Sequence, residues 1–317
     1  MITLTEFFRR NSTIVFAFLL AGVLFAAGTI QATNFASYLH VRTILISASF
    51  VGLVGFGQTL CMLTGGIDLS IPATVAGAAV LTAFLANGDG GALVWIIPLV
   101  IGIGAVVGLV NGLGVAYAGV PPIIMTLGMN SVIQGLLLIY TNGGFASAPP
   151  QGLINFVNGN SIHFSTQLEI WIAVTIFATI LLSWSTFGRR LYAVGTNPVA
   201  AYLAGTNVRR ILVVPYVVSA IGGALTGVLL LGFLAQAFVN IGDEYLFSSA
   251  VAVAIGGGSV LGGRGHYIGT VAGAIILTLI VANLQLLSLG TAAVQISYGL
   301  ILLGTVFLAS LRVGGRR

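Results

Sequence analysis

Lysine is missing from this 317-residue chain, whose eleven basic residues are all Arg. Six acidic residues complete the charged set, which is only 5% of the sequence. A water-soluble domain covers its surface with about 25% charged residues, so a soluble globular fold is excluded. Without Lys there is no Walker A loop, whose Lys reaches the phosphates, and no Schiff-base or Ser–Lys chemistry. The single cysteine, Cys61, cannot form an intrachain disulfide. His40, His163 and His266 fall in three separate stretches without H-E-x-x-H spacing, so no metal site is expected.

What the chain does contain is apolar sequence, 58% of it. A bilayer core needs roughly 20 apolar residues per crossing helix. Long apolar runs predict spans near 14–30, 43–63, 71–86, 92–114, 122–140, 168–185, 211–231, 247–262, 268–287 and 292–311. The expected fold is therefore an all-α polytopic membrane protein of about ten spans, a single transmembrane domain over 1–317. A β-barrel would alternate apolar and polar residues instead.

The Arg positions orient this bundle. With the N-terminus inside, Arg9, Arg10, Arg189, Arg190, Arg209, Arg210, Arg264, Arg312, Arg316 and Arg317 are all cytoplasmic, and only Arg42 is outside. The net charge of +5 is thus a topological signal and not a nucleic-acid footprint. Both termini are expected in the cytoplasm, after a short N-terminal segment, 1–13. Trp171 and Trp184 are expected at opposite membrane interfaces. Gly104/Gly108/Gly112, Gly223/Gly227 and Gly269/Gly273 have the spacing that lets helix backbones approach closely.

The polar residues mark candidate functional elements. Segment 64–72, TGGIDLSIP, ends one helix at Gly65 and Gly66 and starts another, with Ser70 as cap and Pro72 in the first turn. Asp68 within it reads either as part of a capped turn or as a gate or path element. Segment 232–246 carries Gln236, Asn240, Asp243 and Glu244. Spans two to five and seven to ten can be overlaid with opposite orientation, which sets this segment against GGIDLS, as inverted repeats would. Thr126, Asn130 and Gln134 share one helix face, suited either to interhelical hydrogen bonds or to lining a path for a neutral, hydroxylated solute.

Loop 186–210 contains a short helix with its own punctuation: Asn197 as N-cap, Pro198 at the first position and Gly205 at the stop. Arg pairs, Arg189–Arg190 and Arg209–Arg210, flank it. Such a helix outside the bilayer serves either as a connector or as a docking element for a cytoplasmic partner. Segment 256–267, with Gly262 and Gly263, reads as a tight glycine turn near that surface.

GGIDLS at 65–70, TLGM at 126–129, YTNG at 140–143, GRRLYAVGTN at 188–197, AAYLAG at 200–205 and GGGSVLGGRG at 256–265 together resemble the permease subunits of bacterial ribose-type ABC importers. The resemblance runs through most of the chain. It implies the type II importer permease fold and a partner permease, identical or homologous, around a central path. It also implies a separate cytoplasmic ATP-binding subunit that holds ATP and Mg, and a periplasmic sugar-binding protein. The family's coupling helix falls on Asn197, Pro198, Ala200, Ala201, Tyr202, Leu203 and Gly205. Family members often have Gly at the position of Pro72 and Arg at that of Gln134. The implied function is monosaccharide import without catalysis on this chain. The alternatives are a nucleoside or branched-chain amino acid permease of the same fold, or an ion-coupled transporter.

Overall fold

The computed structural model describes residues 12–143, 149–159 and 165–314, with side chains to residue 304. Every element among them is a helix. In chain order these are α1 (Ser12–Gln31), α2 (Tyr38–Leu63), α3 (Ile71–Ala86), α4 (Leu93–Ala116), α5 (Pro122–Thr141), α6 (Gln151–Asn158) and α7 (Thr166–Trp184). There follow α8 (Thr186–Thr196), α9 (Pro198–Leu203), α10 (Val208–Leu234), α11 (Tyr245–Ile255), α12 (Tyr267–Leu286) and α13 (Thr291–Gly314).

Each expected span falls on a helix, but they are not equal. Seven helices, α1, α2, α4, α5, α7, α10 and α12, are long and apolar enough to cross a membrane. The apolar helices α3 and α11 and the stretch Thr291–Gly304 are shorter, so length and composition support seven crossings and leave ten open. The run 247–262 is corrected: α11 stops at Ile255. Gly256–Gly258 follow, and Gly257 adopts φ +90°, which continues no helix.

The long helix α10 packs against α2, α3 and α4 at the centre. The main core gathers Phe50, Leu53, Val54, Ile71, Val75, Ile96, Val228, Leu231, Val251 and Leu277 from these elements and from α11 and α12. Glycine spacing permits this closeness. A Cβ at Gly108 would overlap the Tyr216 carbonyl, and one at Gly227 the Val75 carbonyl. Large apolar side chains face outward elsewhere, such as Ile30 at 87%, Val94 at 81% and Ile139 at 76% exposure. That pattern belongs to a lipid- or partner-covered surface.

Trp171 is not an interfacial anchor. It is buried against Gly52, and its Nε1–H donates to Tyr267 Oη at 3.2 Å. Trp184 stays 79% exposed. Arg189, Arg190, Arg209, Arg210 and Arg264 lie on α8, α10 and the loop before α12, at the end of the bundle where α2 terminates. Arg42 lies 21 residues earlier on α2, about 30 Å away at 1.5 Å per residue. Arg9, Arg10, Arg316 and Arg317 lie outside the described residues, as does the Arg312 side chain, so the structure carries no terminus orientation.

Candidate functional site

α2 ends at Leu63 because two glycines follow Thr64, and Gly65 takes the left-handed φ of +80° that favours glycine. The N–H groups of Thr64, Gly65 and Gly66 still close onto Cys61 O and Met62 O; residues 67–70 then run back into the bundle and restart as α3. Their backbone polar groups need partners, and side chains from α2 and α5 supply several of them. The Asp68 N–H donates to Gln58 Oε1 of α2 at 3.2 Å. The Leu69 N–H donates to Thr126 Oγ1 of α5 at 3.0 Å. One turn along, the Ala73 N–H donates to Asn130 Oδ1 at 3.1 Å.

Ser70 stands at the N-cap position, yet its hydroxyl makes no cap bond. It donates to Asp68 Oδ1 at 2.6 Å and accepts from Asn111 Nδ2 of α4 at 2.9 Å. The expected Ser70 cap is thus replaced by Asn130, a side chain from another helix. Asp68 and Ser70 are 1% and 0% exposed, which puts them within the bundle. Of the α5 stripe, Thr126 and Asn130 bind the break. Gln134 is half-buried one turn further on.

A second break mirrors the first in form. α10 ends, residues 235–244 turn back, and the short α11 begins at Tyr245. The two breaks touch: a Cβ at Gly242 would overlap the Pro72 carbonyl at the start of α3. In the second break Gln236, Asn240 and Asp243 are exposed. Partial desolvation of this largely exposed side chain raises the Asp243 carboxyl above its ordinary pKa, opposed by a hydrogen bond with Asn240.

At the end of α2, α8 and the 262–263 turn converge on one carbonyl. The Gly263 N–H donates to Leu63 O at 2.9 Å, and a Cβ at Gly195 of α8 would overlap the same carbonyl. Gly262 (φ +87°) and Gly263 (φ +73°) make this approach possible. A Cβ at Gly262 would lie 3.0 Å from Gly65 N, and one at Gly66 would overlap Tyr216 Oη. Tyr192 Oη of α8 donates to Gly265 O at 2.6 Å, and burial raises its pKa to about 12. The four glycines singled out in the sequence therefore sit in one joint with Gly195.

α9 hangs from this joint. Asn197 Oδ1 accepts from the N–H groups of Val199 and Ala200 at 3.1 and 3.0 Å. Pro198 takes the first position, and Gly205 follows with φ +81°. Val199, Tyr202 and Leu203 are 67%, 69% and 79% exposed, while Ala201 is 4% exposed. Ala201 packs into a small core with Leu191, Val194 and Ile211. It anchors the helix on that core, while its neighbours face outward. The flanking Arg189 donates from Nη1 to Trp184 O at 3.2 Å, and Arg190 is exposed. Arg209 stacks over the Tyr117 ring at 5.4 Å.

Residues 40–311 match the family described as branched-chain amino acid transport system / permease component. The chain belongs to this permease family. It is 32% identical to the fructose import permease protein of Rhizobium meliloti over 88% of this chain and 80% of that one. It is 32% identical to the ribose import permease protein of Bacillus subtilis, over 87% of this chain and 86% of that one. It is 31% identical to the galactose/methyl galactoside import permease protein of Escherichia coli K12, over 93% of each. No solved structure matches it.

As a permease, the chain is a transport component and a multi-pass membrane protein, not an enzyme. Sequence reasoning missed Gln58, Tyr216 and Gly195 as parts of its internal joint. Gln58 sits in an apolar run and Gly195 inside a motif, and only their position as isolated polar or small residues on a buried face marks them.

Proposed function

We propose that this chain is the membrane-spanning subunit of an ATP-driven importer that carries a monosaccharide across the bacterial inner membrane. Residues 1–317 form one permease domain, with both termini and the loop 186–210 in the cytoplasm. A separate cytoplasmic subunit holds ATP and Mg and hydrolyses the nucleotide, in keeping with a chain that has no Lys. A periplasmic binding protein delivers the sugar. A second permease, identical or homologous, completes the path.

The observation that carries this reading is α9. It is a helix capped at both ends that exposes Val199, Tyr202 and Leu203 and buries only Ala201. Exposed apolar side chains on a short rigid helix beside Arg pairs suit a protein partner. Motion of α9 would pass through α8 and the Gly195–Leu63–Gly263 joint to the break at 64–70, and from there through Thr126 and Asn130 to α5. Two-state movement biased by a partner needs a contiguous, tightly packed element of this kind. On the outer side the exposed Gln236 and Asn240, and Gln134 on α5, are the polar groups left to meet solute. The sugar relatives, aligned over most of both chains, favour a sugar over the amino acid in the family description.

The test is uptake of labelled sugars into proteoliposomes holding the permease with its ATP-binding and sugar-binding partners. Leu203→Asp should lower uptake at least ten-fold with the melting temperature unchanged, because the side chain is exposed. Wild-type uptake by this variant would sink the assignment. Labelled leucine in place of sugar discriminates the amino acid alternative.

A further inference from the structure

The start of α7, far from the joint, has three features without a role in transport. Its N-cap residue Ser165 and its second residue Gln167 are 1% and 0% exposed. The Ser165 hydroxyl and both amide atoms of Gln167 have no hydrogen-bond partner. A buried amide left unpaired costs about 1–3 kcal/mol. Gln167 also lines a cavity of about 210 Å3 with Arg42 of α2 and Asn158 at the end of α6. Leu39, Ile46 and Phe233 form its apolar side.

These groups select a ligand. The first N–H groups of a 19-residue helix attract an anion, and a guanidinium adds charge and directional donors. Arg42 offers five N–H donors and makes an interaction of its own. Glu169, the fourth residue of the same helix, has its own contact. Gln167 Nε2 needs an acceptor, which a phosphate oxygen supplies. Gln167 Oε1 needs a donor, which a bare phosphate diester lacks and a neighbouring hydroxyl or ammonium has. The cavity is below the roughly 300–1,000 Å3 of a drug-sized site, so it suits a headgroup and no more. Leu39 is 71% and Tyr38 73% exposed beside it, as at a bilayer-facing mouth.

We propose that the cavity between α2, α7 and α10 binds the phosphate of a membrane phospholipid whose headgroup also donates a hydrogen bond, with Arg42 and the α7 N-terminus on the phosphate and Gln167 on the headgroup. Basic pockets between membrane helices take lipid headgroups on the same principle. The inference stands apart from the transported solute, and its readout is binding.

The experiment is native mass spectrometry of the delipidated, intact chain in detergent, titrated with dioleoylphosphatidylglycerol, dioleoylphosphatidylcholine or sn-glycerol 3-phosphate. Phosphatidylglycerol should bind the wild type at least ten-fold more tightly than phosphatidylcholine, which has no donor. Arg42→Gln and Gln167→Leu should each weaken it at least ten-fold, with Arg190→Gln at the other end unaffected. Gln167→Glu, which keeps the shape and adds a repelling charge, serves if the leucine variant does not fold. Equal binding by wild type and the Arg42 and Gln167 variants overturns the site. Glycerol phosphate binding as tightly as the lipid overturns the membrane source.

Discussion

Between α2 and α3 the chain turns back through residues 64–70, and its polar groups are met by Gln58, Asn111, Thr126 and Asn130. Between α10 and α11 it turns back through 235–244, and Gln236, Asn240 and Asp243 face outward. The two breaks share a plan, a long helix, a reversal and a short helix, and they meet at Pro72 and Gly242. Their finish differs because the first is enclosed by four helices and the second is at the margin of the bundle. An enclosed break must find its partners internally, and Gln58 Nε2, Asp68 Oδ2 and Asn111 Oδ1 are left there without one. A marginal one leaves them available to solute, water or an outer partner.

The harshest way to break this pairing is at the contact itself. Gly242→Ala places a methyl group on the Pro72 backbone, where neither side can rotate away. Overpacking of this kind costs about 1–3 kcal/mol or more. The expected outcome is a large drop in melting temperature in detergent and loss of uptake.

Next in size is the contrast between an enclosed and an exposed polar side chain. Asn130→Ala leaves the Ala73 N–H of a buried helix start unpaired, a cost of about 1–3 kcal/mol. Gln236→Ala touches an exposed side chain and should stay within about 0.5 kcal/mol. Thermal unfolding of both variants measures the difference, and equal destabilisation would erase the distinction drawn between the two breaks. Sugar selectivity measured on the same pair sharpens it further: Gln236→Ala should alter uptake without altering stability.

The smallest effect is electrostatic. The Asp243 carboxyl has a raised pKa in the folded chain, so the folded state holds its proton to higher pH than the unfolded state does. Stability from this group is present at low pH. It declines as pH rises from the ordinary carboxylate pKa of about 4 towards the raised value. Asp243→Asn should flatten that decline in melting temperature measured from pH 4 to 7, and an unchanged profile would count against the desolvated setting of Asp243.

Much of the architecture is legible in the sequence because it is local. Apolar runs place the helices, and Asn197, Pro198 and Gly205 delimit α9 within two residues, since caps and stops act on their own backbone. What local pattern could not give is long-range pairing. That Thr126 and Asn130 serve the break depends on residues 57 positions away. That Trp171 packs on Gly52 depends on α2. The end of α11 was hidden because glycine and valine after Ile255 remain apolar enough to pass for helix. Ala201 looked interchangeable with its neighbours, and only the packing of α9 on Leu191 and Ile211 separates an anchor from a face.

That separation has a practical side. Residues 197–205 close themselves with their own caps and fasten to the rest of the molecule mainly through one methyl group. Such a segment is a cassette. In the docking role proposed for α9, three outward side chains can be rewritten while the fastening stays, so exchanging nine residues should transplant the choice of motor between permeases with the recipient's solute path left intact.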